Sequence, residues 1–486
     1  MGTAGRGENG AIGLGDSAAG AIIAASPAPF APPLEIAPVV PPAASAVSMI
    51  RRLESVATEV PPAEIAPAEL AAANPFASPR AIEAPPALAE PSAYGKTFWL
   101  CYLSNAALTA AAAILYRYAD FVHLFGGGEK KLGWIVGVGM TGSLAMRWWL
   151  GAGIDRLGPR RVWLASQALF AAVVAAHVWV TTIDTPTVYV LRILYCIAVA
   201  GVFGSSITFI SHTIPVPRMA EVLGTLGTSG FLGMAIGPAL GDWLAGDLVA
   251  ASLAERTVAM HNMFFLSAGL GMFALVAAAW ATRGSAAPEP RRRPPTFWLL
   301  RRYHPGALLA VGFAMGVLIT LPSTFLRAYT HDLGIGEMQL FFFVYTPTAF
   351  IARLATRRMS ADFGIRPVIL TGLALGAASA LSYLAVDREA MLALPAVLAG
   401  FSHALLFPTL MAGGAMAFPD RHRGLATTLM LASMDVGTLI GSPLVGGTVE
   451  LARDLGLPAY PTTFGVVATL VAAAFLAYAR GSGEVS

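Results

Sequence analysis

The chain is 486 residues long, with 56% hydrophobic and 12% charged residues and a mean hydropathy of +0.66. A water-soluble protein of this length needs more charge to cover its surface, so the composition predicts lipid as the surrounding solvent. The formal net charge of +3 and the absence of a long basic run argue against a nucleic-acid partner.

Residues 1–92 are dominated by alanine and proline and show no sustained helical period. Frequent prolines remove backbone hydrogen-bond donors and break helices. We therefore predict that this segment is a disordered, partly polyproline-like tail that precedes the membrane region.

Deleting residues 1–90 is expected to leave membrane insertion and transport intact, because no apolar run in this segment is long enough to span a bilayer. Membrane fractionation and a vesicle transport assay, applied to the full and the shortened chain, measure both properties. Loss of insertion after the deletion would contradict the prediction of a solvated tail.

From Phe98 onward, apolar runs of about 20 residues follow one another with short breaks. They predict an all-α integral membrane fold with twelve transmembrane helices. The predicted spans lie near 97–119, 132–150, 162–181, 187–209, 220–241, 259–282, 306–327, 338–355, 367–386, 389–416, 424–447 and 462–480.

The charged break at 283–305 divides the predicted helices into two halves of six, at 93–282 and 306–480, with a short tail at 481–486. If the first helix runs outward, the predicted inner loops hold 17 lysines and arginines and the outer loops hold 7. The excess of positive charge marks the cytoplasmic side. We therefore expect a multi-pass protein of the cytoplasmic membrane with both termini inside.

Two unrelated sequence features each occur twice in the chain, separated by nearly the same number of residues. Asp155 follows the second predicted helix, and Asp362 follows the eighth helix 207 residues later. Glycines and a proline of the fifth helix recur in the eleventh helix 204 or 205 residues later. The common offset predicts two six-helix halves related by a parallel repeat.

A glycine-rich, basic motif follows the second predicted helix; it comprises Gly151, Asp155, Arg156, Gly158, Arg160 and Arg161. It resembles the GxxxDRxGRR-type signature of the major facilitator superfamily of secondary transporters, with Pro159 in place of a basic residue. The resemblance implies that Asp155 latches the inner side at the start of the eleventh helix, where the helix dipole attracts a carboxylate, while the arginines pair across the halves. An ordinary basic loop is the alternative. The second half carries an equivalent set, Arg358, Asp362, Gly364 and Arg366.

The fifth predicted helix carries glycines at regular spacing; the set is Gly224, Gly233, Gly237, Pro238 and Gly241. The spacing resembles the antiporter motif of the same superfamily, with Asp242 in place of the last glycine. That resemblance favours an exporter of a drug-like molecule, sugar or metabolite. The alternative is plain packing, because small residues four apart let helices approach closely in lipid.

Charged side chains inside a membrane are costly and are usually functional or paired. Asp435 lies about 17 Å into the eleventh predicted helix. It is either a proton-titrating carboxylate or the fixed partner of an arginine such as Arg192 in the fourth helix. The resemblance implies a buried arginine in that fourth helix, although the family's RxxxG pattern is absent here.

Three further polar side chains are candidates for transport. Arg117 and Asp120 are three residues apart on one helical face, which favours a local ion pair over a transport role. His403 in the tenth helix is either a packing residue or a proton relay. Other polar residues of the first and fourth helices could face a central cavity: Tyr102, Ser104, Asn105, Tyr116, Ser205, Ser206 and Thr208.

No phosphate-binding GxxxxGK[ST] loop, HExxH or CxxC motif occurs in the chain. We therefore expect a transporter and not an enzyme, without cofactor or metal, acting as a monomer in the lipid bilayer. The resemblance favours proton-coupled efflux of a small-molecule substrate. The alternatives are a proton-coupled uptake symporter and a sensor or scaffold that does not transport.

Overall fold

The computed structural model describes residues 94–213, 219–245, 251–284, 302–335, 337–419 and 422–481. The predicted tail at 1–92 and most of the predicted linker at 283–305 lie outside the described residues. The chain separates into one unit at 1–88 and one at 89–486, and only the second contains described residues.

The described residues form twelve long helices in a bundle. Their bounds are α1 Lys96–Leu124, α2 Glu129–Leu157, α3 Pro159–Ala176, α4 Pro186–Thr213, α5 Met219–Ala245, α6 Leu253–Ala281, α7 Leu308–Asp332, α8 Gln339–Ala355, α9 Ile365–Ser382, α10 Ala393–Met416, α11 Arg423–Asp454 and α12 Ala459–Gly481. Ten of them are long and apolar enough to cross a membrane; α2 is more polar than these ten, and α8 is shorter. The predicted all-α membrane fold is confirmed.

The second helix is longer than predicted, since α2 runs from Glu129 to Leu157 and not from 132 to 150. Its 29 residues extend for about 43 Å, which exceeds the hydrocarbon core of a bilayer. Asp155 therefore lies on a helix and not in the loop that hydropathy predicts. Polar residues at the end of a long helix reach the headgroup region and lower its apparent hydropathy.

The two six-helix halves repeat the same packing. In the first half α1 packs on α5 and α6, and in the second half α7 packs on α11 and α12. The halves meet mainly where α2 packs on α11 and where α5 packs on α8. These two contacts are equivalent under the repeat, because each joins the second helix of one half to the fifth helix of the other.

Glycines allow the central helices to approach closely. A Cβ at Gly233 of α5 would lie 2.6 Å from the backbone nitrogen of Ala110 in α1, and a Cβ at Gly237 would lie 2.6 Å from the Ala110 oxygen. A Cβ at Gly437 of α11 would collide with the Phe313 carbonyl of α7. Gly233 and Gly237 of the antiporter-like motif thus pack α5 on α1, and Gly437 packs α11 on α7 in the same way.

The two basic motifs also share a backbone conformation. Gly158, between α2 and α3, has φ 80°, and Gly364, immediately before α9, has φ 85°. Positive φ favours glycine because a side chain would clash with the backbone there. The glycine in each motif therefore reverses the chain between consecutive helices.

Candidate functional site

Buried charges connect the two halves at one end of the bundle, which we call the closed face. It is formed by the C-terminal ends of α1, α5, α7 and α11 and the N-terminal ends of α2 and α8. The opposite end, which carries Lys96 and Gly481, is called the termini face. The predicted orientation would make the closed face the outer one.

A four-residue charge network lies at the centre of the closed face. Arg117 donates to Asp120 at 2.7 Å within α1 and to Asp242 of α5 at 3.0 Å. Arg327 of α7 donates to both oxygens of Asp120 at 3.0 Å. The four formal charges sum to zero, which a buried cluster requires. Asp120 therefore joins the halves, and its contacts are not limited to the predicted local pair.

Asp242 adds a second link between the halves. Its Oδ2 accepts hydrogen bonds from the backbone nitrogens of Met338 at 3.1 Å and Gln339 at 3.0 Å, at the start of α8. The partial positive charge of a helix N-terminus stabilises this carboxylate. The aspartate that departs from the antiporter motif is thus part of the closed face.

Both arginines of the network lie at or after a local break in their helix. A 3₁₀ turn at Leu115–Arg117 interrupts α1, and a π turn at Leu321–Phe325 interrupts α7. A change in the number of residues per turn rotates the side chains that follow. These breaks precede Asp120 and Arg327, the two residues that meet across the halves.

A second cluster holds α2 to the end of the other half. Arg453 of α11 donates to Glu129 of α2 at 2.6 and 3.1 Å, and the Tyr460 hydroxyl donates to the same carboxylate at 3.2 Å. Glu129 is buried while Arg453 is partly exposed, so loss of the arginine would leave a buried carboxylate without its counter-charge. Sequence reasoning missed Glu129 and Arg453 because it placed both near loops.

The central charge pair joins α2 to α11. Arg147 Nε donates to Asp435 Oδ2 at 2.5 Å, Arg147 Nη2 donates to Oδ1 at 3.3 Å, and the Ser143 hydroxyl donates to Oδ2 at 2.6 Å. Asp435 is 7% exposed and lies about 18 Å along α11 from Arg423. The predicted position of Asp435 along the eleventh helix therefore agrees with the structure.

Asp435 pairs with an arginine, but this arginine is Arg147 and not Arg192, the residue that the sequence suggests. The guanidinium of Arg192 lies over the rings of Tyr118 at 5.0 Å and Tyr195 at 4.6 Å. Sequence reasoning missed Arg147 because it assigned this residue to an inner loop. The available signal was that position 147 lies inside the second predicted span, at 132–150.

His403 belongs to an aromatic cluster near the contact of the halves. Its Nδ1 is hydrogen-bonded to the Tyr345 hydroxyl, and its ring lies 5.8 Å from that of Phe231 and 5.7 Å from that of Phe407. A cavity of about 40 Å³ adjoins it, lined by Tyr345, Ser402 and His403 among others. Such a cavity has room for water.

The basic motif between α2 and α3 lies at the termini face. Arg156 and Arg161 are exposed, Arg160 is half-buried, and none of them forms an ion pair with the part of the chain that the structure describes. Asp155 is half-buried in the last turn of α2. Its role as a latch stays a prediction.

The equivalent motif of the second half is exposed at the same face. Arg358, Asp362, Gly364 and Arg366 all lie at the surface. Arg366 Nη2 donates to the Ala479 carbonyl of α12 at 2.6 Å, which ties the start of α9 to the end of the bundle.

Two polar residues that could have faced a cavity are packing residues. The Ser104 hydroxyl donates to the Ala274 carbonyl of α6 at 2.9 Å, and the Ser205 hydroxyl donates to the Gly201 carbonyl of its own helix at 2.6 Å. Both side chains are buried. Hydroxyls satisfy their hydrogen bonds in this way when no water is near.

A sequence model of the Major Facilitator Superfamily matches the chain at residues 98–356 and 308–483. No curated protein sequence matches it. Among solved structures, a point mutant of the nucleoside transporter NupG is similar, with a TM-score of 0.66, 12% identity, and 79% of this chain and 99% of that chain covered.

A D-xylose–proton symporter is similar with a TM-score of 0.64, 14% identity, and coverage of 80% of this chain and 98% of that chain. A bacterial homolog of the human lysosomal transporter Spinster, in an inward-facing and occupied conformation, is also similar. The TM-score is 0.63 and the identity 13%, with 79% of this chain and 95% of that chain covered. At these identities the likeness concerns the fold alone.

Proposed function

Since the chain belongs to the Major Facilitator Superfamily, we propose that it is a proton-coupled transporter that exports a small molecule by alternating access. The family match supports a multi-pass membrane transporter. Proton coupling, export, a cytoplasmic-membrane location with both termini inside, and a monomeric state are our proposals.

The observation that carries proton coupling is the buried pair of Asp435 and Arg147 between the halves. A carboxylate in a membrane interior is costly unless it is paired or protonated. When Asp435 takes up a proton it loses its attraction to Arg147, and the contact between α2 and α11 weakens. Protonation would then favour separation of the halves at this point, which couples proton binding to the change of access.

The asymmetry of the bundle supports an alternating mechanism. At the closed face, ion pairs join the halves through Asp120 and Glu129. Nearer the termini face, a Cβ added at Gly224, Gly227 or Gly230 of α5 would meet no atom within 4 Å. An arrangement closed at one end and open along α5 at the other fits one of the states that a rocking transporter visits.

Export is favoured by the glycine spacing of α5, which resembles the antiporter motif. The xylose symporter among the structural neighbours supports proton coupling in this fold but not the direction of transport. Uptake by symport is therefore an outcome of the test below and not a second proposal.

The test uses purified protein in sealed vesicles with an imposed pH gradient and a panel of small molecules. An exporter should accumulate its substrate in everted vesicles against a proton flow in the opposite direction. Accumulation in the same direction as the proton would establish a symporter. Transport at a rate that does not depend on the pH gradient would overturn proton coupling.

Replacing Asp155 with Asn is expected to reduce transport while expression stays near the native level. The loss of one charge at the termini face should shift the balance between the two access states by no more than about a few kcal/mol. Initial transport rates, with the exposed Asp387→Asn variant as control, measure the effect. A native transport rate for Asp155→Asn would show that the motif only helps to set the orientation of the chain in the membrane.

A further inference from the structure

The repeat places Phe231 where the other half has Asp435. The segment Phe231-x-Gly233 of α5 corresponds to Asp435-x-Gly437 of α11, 204 residues later. The correspondence is also structural, because Gly233 packs on the backbone of α1 while Gly437 packs on the backbone of α7. The first half thus has an aromatic ring at the position of the buried carboxylate.

Gly158 and Gly364, the two motif glycines with positive φ, are 206 residues apart. Arg353 of α8 lies at the same offset of 206 residues from Arg147 of α2, the arginine that pairs with Asp435. The contact of α8 with α5 is likewise equivalent to the contact of α2 with α11. One contact between the halves has both members of the ion pair. The other contact has the arginine and, in place of the carboxylate, Phe231.

Arg353 has no anionic partner among the described residues. Within that part of the chain it forms no hydrogen bond or ion pair, and its guanidinium lies 5.9 Å from the ring of Phe407. The side chain is half-buried. A positive charge that is partly withdrawn from water without an anion is costly, so the position favours any anion that can reach it.

The ring of Phe407, next to this cation, belongs to a chain of aromatic contacts that crosses between the halves. Phe407 contacts His403, and His403 contacts Phe231 across the halves. Tyr345 of α8 is hydrogen-bonded to His403. A ligand beside Arg353 would therefore meet one positive charge and a wall of rings, which suits a single carboxylate attached to an apolar or aromatic body.

We propose that Arg353, with Phe231, His403 and Phe407, forms a binding site for an organic carboxylate at the contact of α5, α8 and α10. The ligand carboxylate takes the place that Asp435 occupies in the other half, and the apolar body packs on the rings. The proposal deepens the transport function by naming its substrate class, and it rests on that function only for its physiological meaning.

The test is equilibrium binding to the purified full-length chain in detergent, at constant ionic strength. The probes are benzoate and benzamide, which have nearly the same shape and differ in charge. Benzoate is expected to raise the unfolding temperature in a saturable way and benzamide to raise it much less. Equal shifts with both probes would overturn the proposal.

Arg353→Gln should weaken benzoate binding about tenfold or more, because a charge-assisted bidentate contact is lost. Arg357→Gln is the matched control, since Arg357 is an exposed arginine one turn further along the chain. It should bind benzoate as the native chain does. Native affinity in Arg353→Gln, or an equal loss in both variants, would contradict the site.

A second pair of variants tests the correspondence with Asp435. Phe231→Asp should supply the missing carboxylate, pair with Arg353 and abolish the difference between benzoate and benzamide. Phe231→Asn removes the same ring without adding charge, so a reduced but measurable difference should remain. Identical behaviour of these two variants would show that Arg353 does not recognise the anion.

These experiments distinguish a failure of the proposed binding site from a failure of the proposed proton coupling. Benzoate binding that depends on Arg353, without any transport driven by a pH gradient, would overturn the proposed proton coupling and leave the site standing. Proton-coupled transport of neutral molecules, with no preference for benzoate over benzamide, would overturn the site alone.

Discussion

Asp435→Asn is expected to abolish transport driven by a pH gradient and to lower expression strongly. The amide cannot carry the coupled proton, and it leaves the largely buried guanidinium of Arg147 without its counter-charge. Breaking a buried ion pair by removing one partner costs about 3–5 kcal/mol. Vesicle transport assays and the yield of monodisperse protein measure the two effects.

The double variant Asp435→Asn with Arg147→Gln separates coupling from folding. Neutralising both partners removes the stranded charge, so expression should recover while the response to the pH gradient stays absent. Asp387→Asn, an exposed aspartate beside Arg388, is the control and should match the native protein. An Asp435→Asn protein that expresses normally and still follows the gradient would contradict both the pairing and the proton role.

Asp120→Asn is expected to open the closed face. Asp120 is the carboxylate shared by Arg117 and Arg327, and both arginines are fully or almost fully buried. Without it, the two buried guanidinium groups lose the negative charge that lies between them. The expected cost is about several kcal/mol, part of which the protein can avoid by separating its halves at this end.

Spin labels at positions 181 and 387, exposed on the loops after α3 and α9, report that separation. Their distance distribution should move to longer values in Asp120→Asn. Asp184→Asn is the matched control, because Asp184 forms an exposed ion pair with Lys131 and such pairs contribute little. An unchanged distribution in Asp120→Asn would show that the network does not hold the face closed.

A comparison of Asp120 with Arg327 tests the pairing directly. Arg327→Gln leaves Asp120 paired with Arg117, so its effect on the unfolding temperature should be smaller than that of Asp120→Asn. The variant with both substitutions should be more stable than the sum of the single effects predicts, because the two side chains interact. Simple additivity would contradict a direct interaction.

The length and spacing of apolar runs determined the twelve helices and the two halves, because a bilayer demands about 20 apolar residues per span whatever the packing. The position of Asp435 along the eleventh helix followed from its count within one apolar run. These are local or periodic properties of the chain, and each can be counted without knowing which helix lies beside which.

The partners of the charged residues were decided by the tertiary structure. Asp435 and Arg147 are 288 residues apart, and Arg327 and Asp120 are 207 residues apart. Their pairing depends on which helix faces meet between the halves, and uniformly apolar helices carry little periodic signal for that. Glycine contacts between backbones choose the faces. Only the packed bundle shows that Arg147 has a carboxylate while its repeat equivalent Arg353 has none among the described residues.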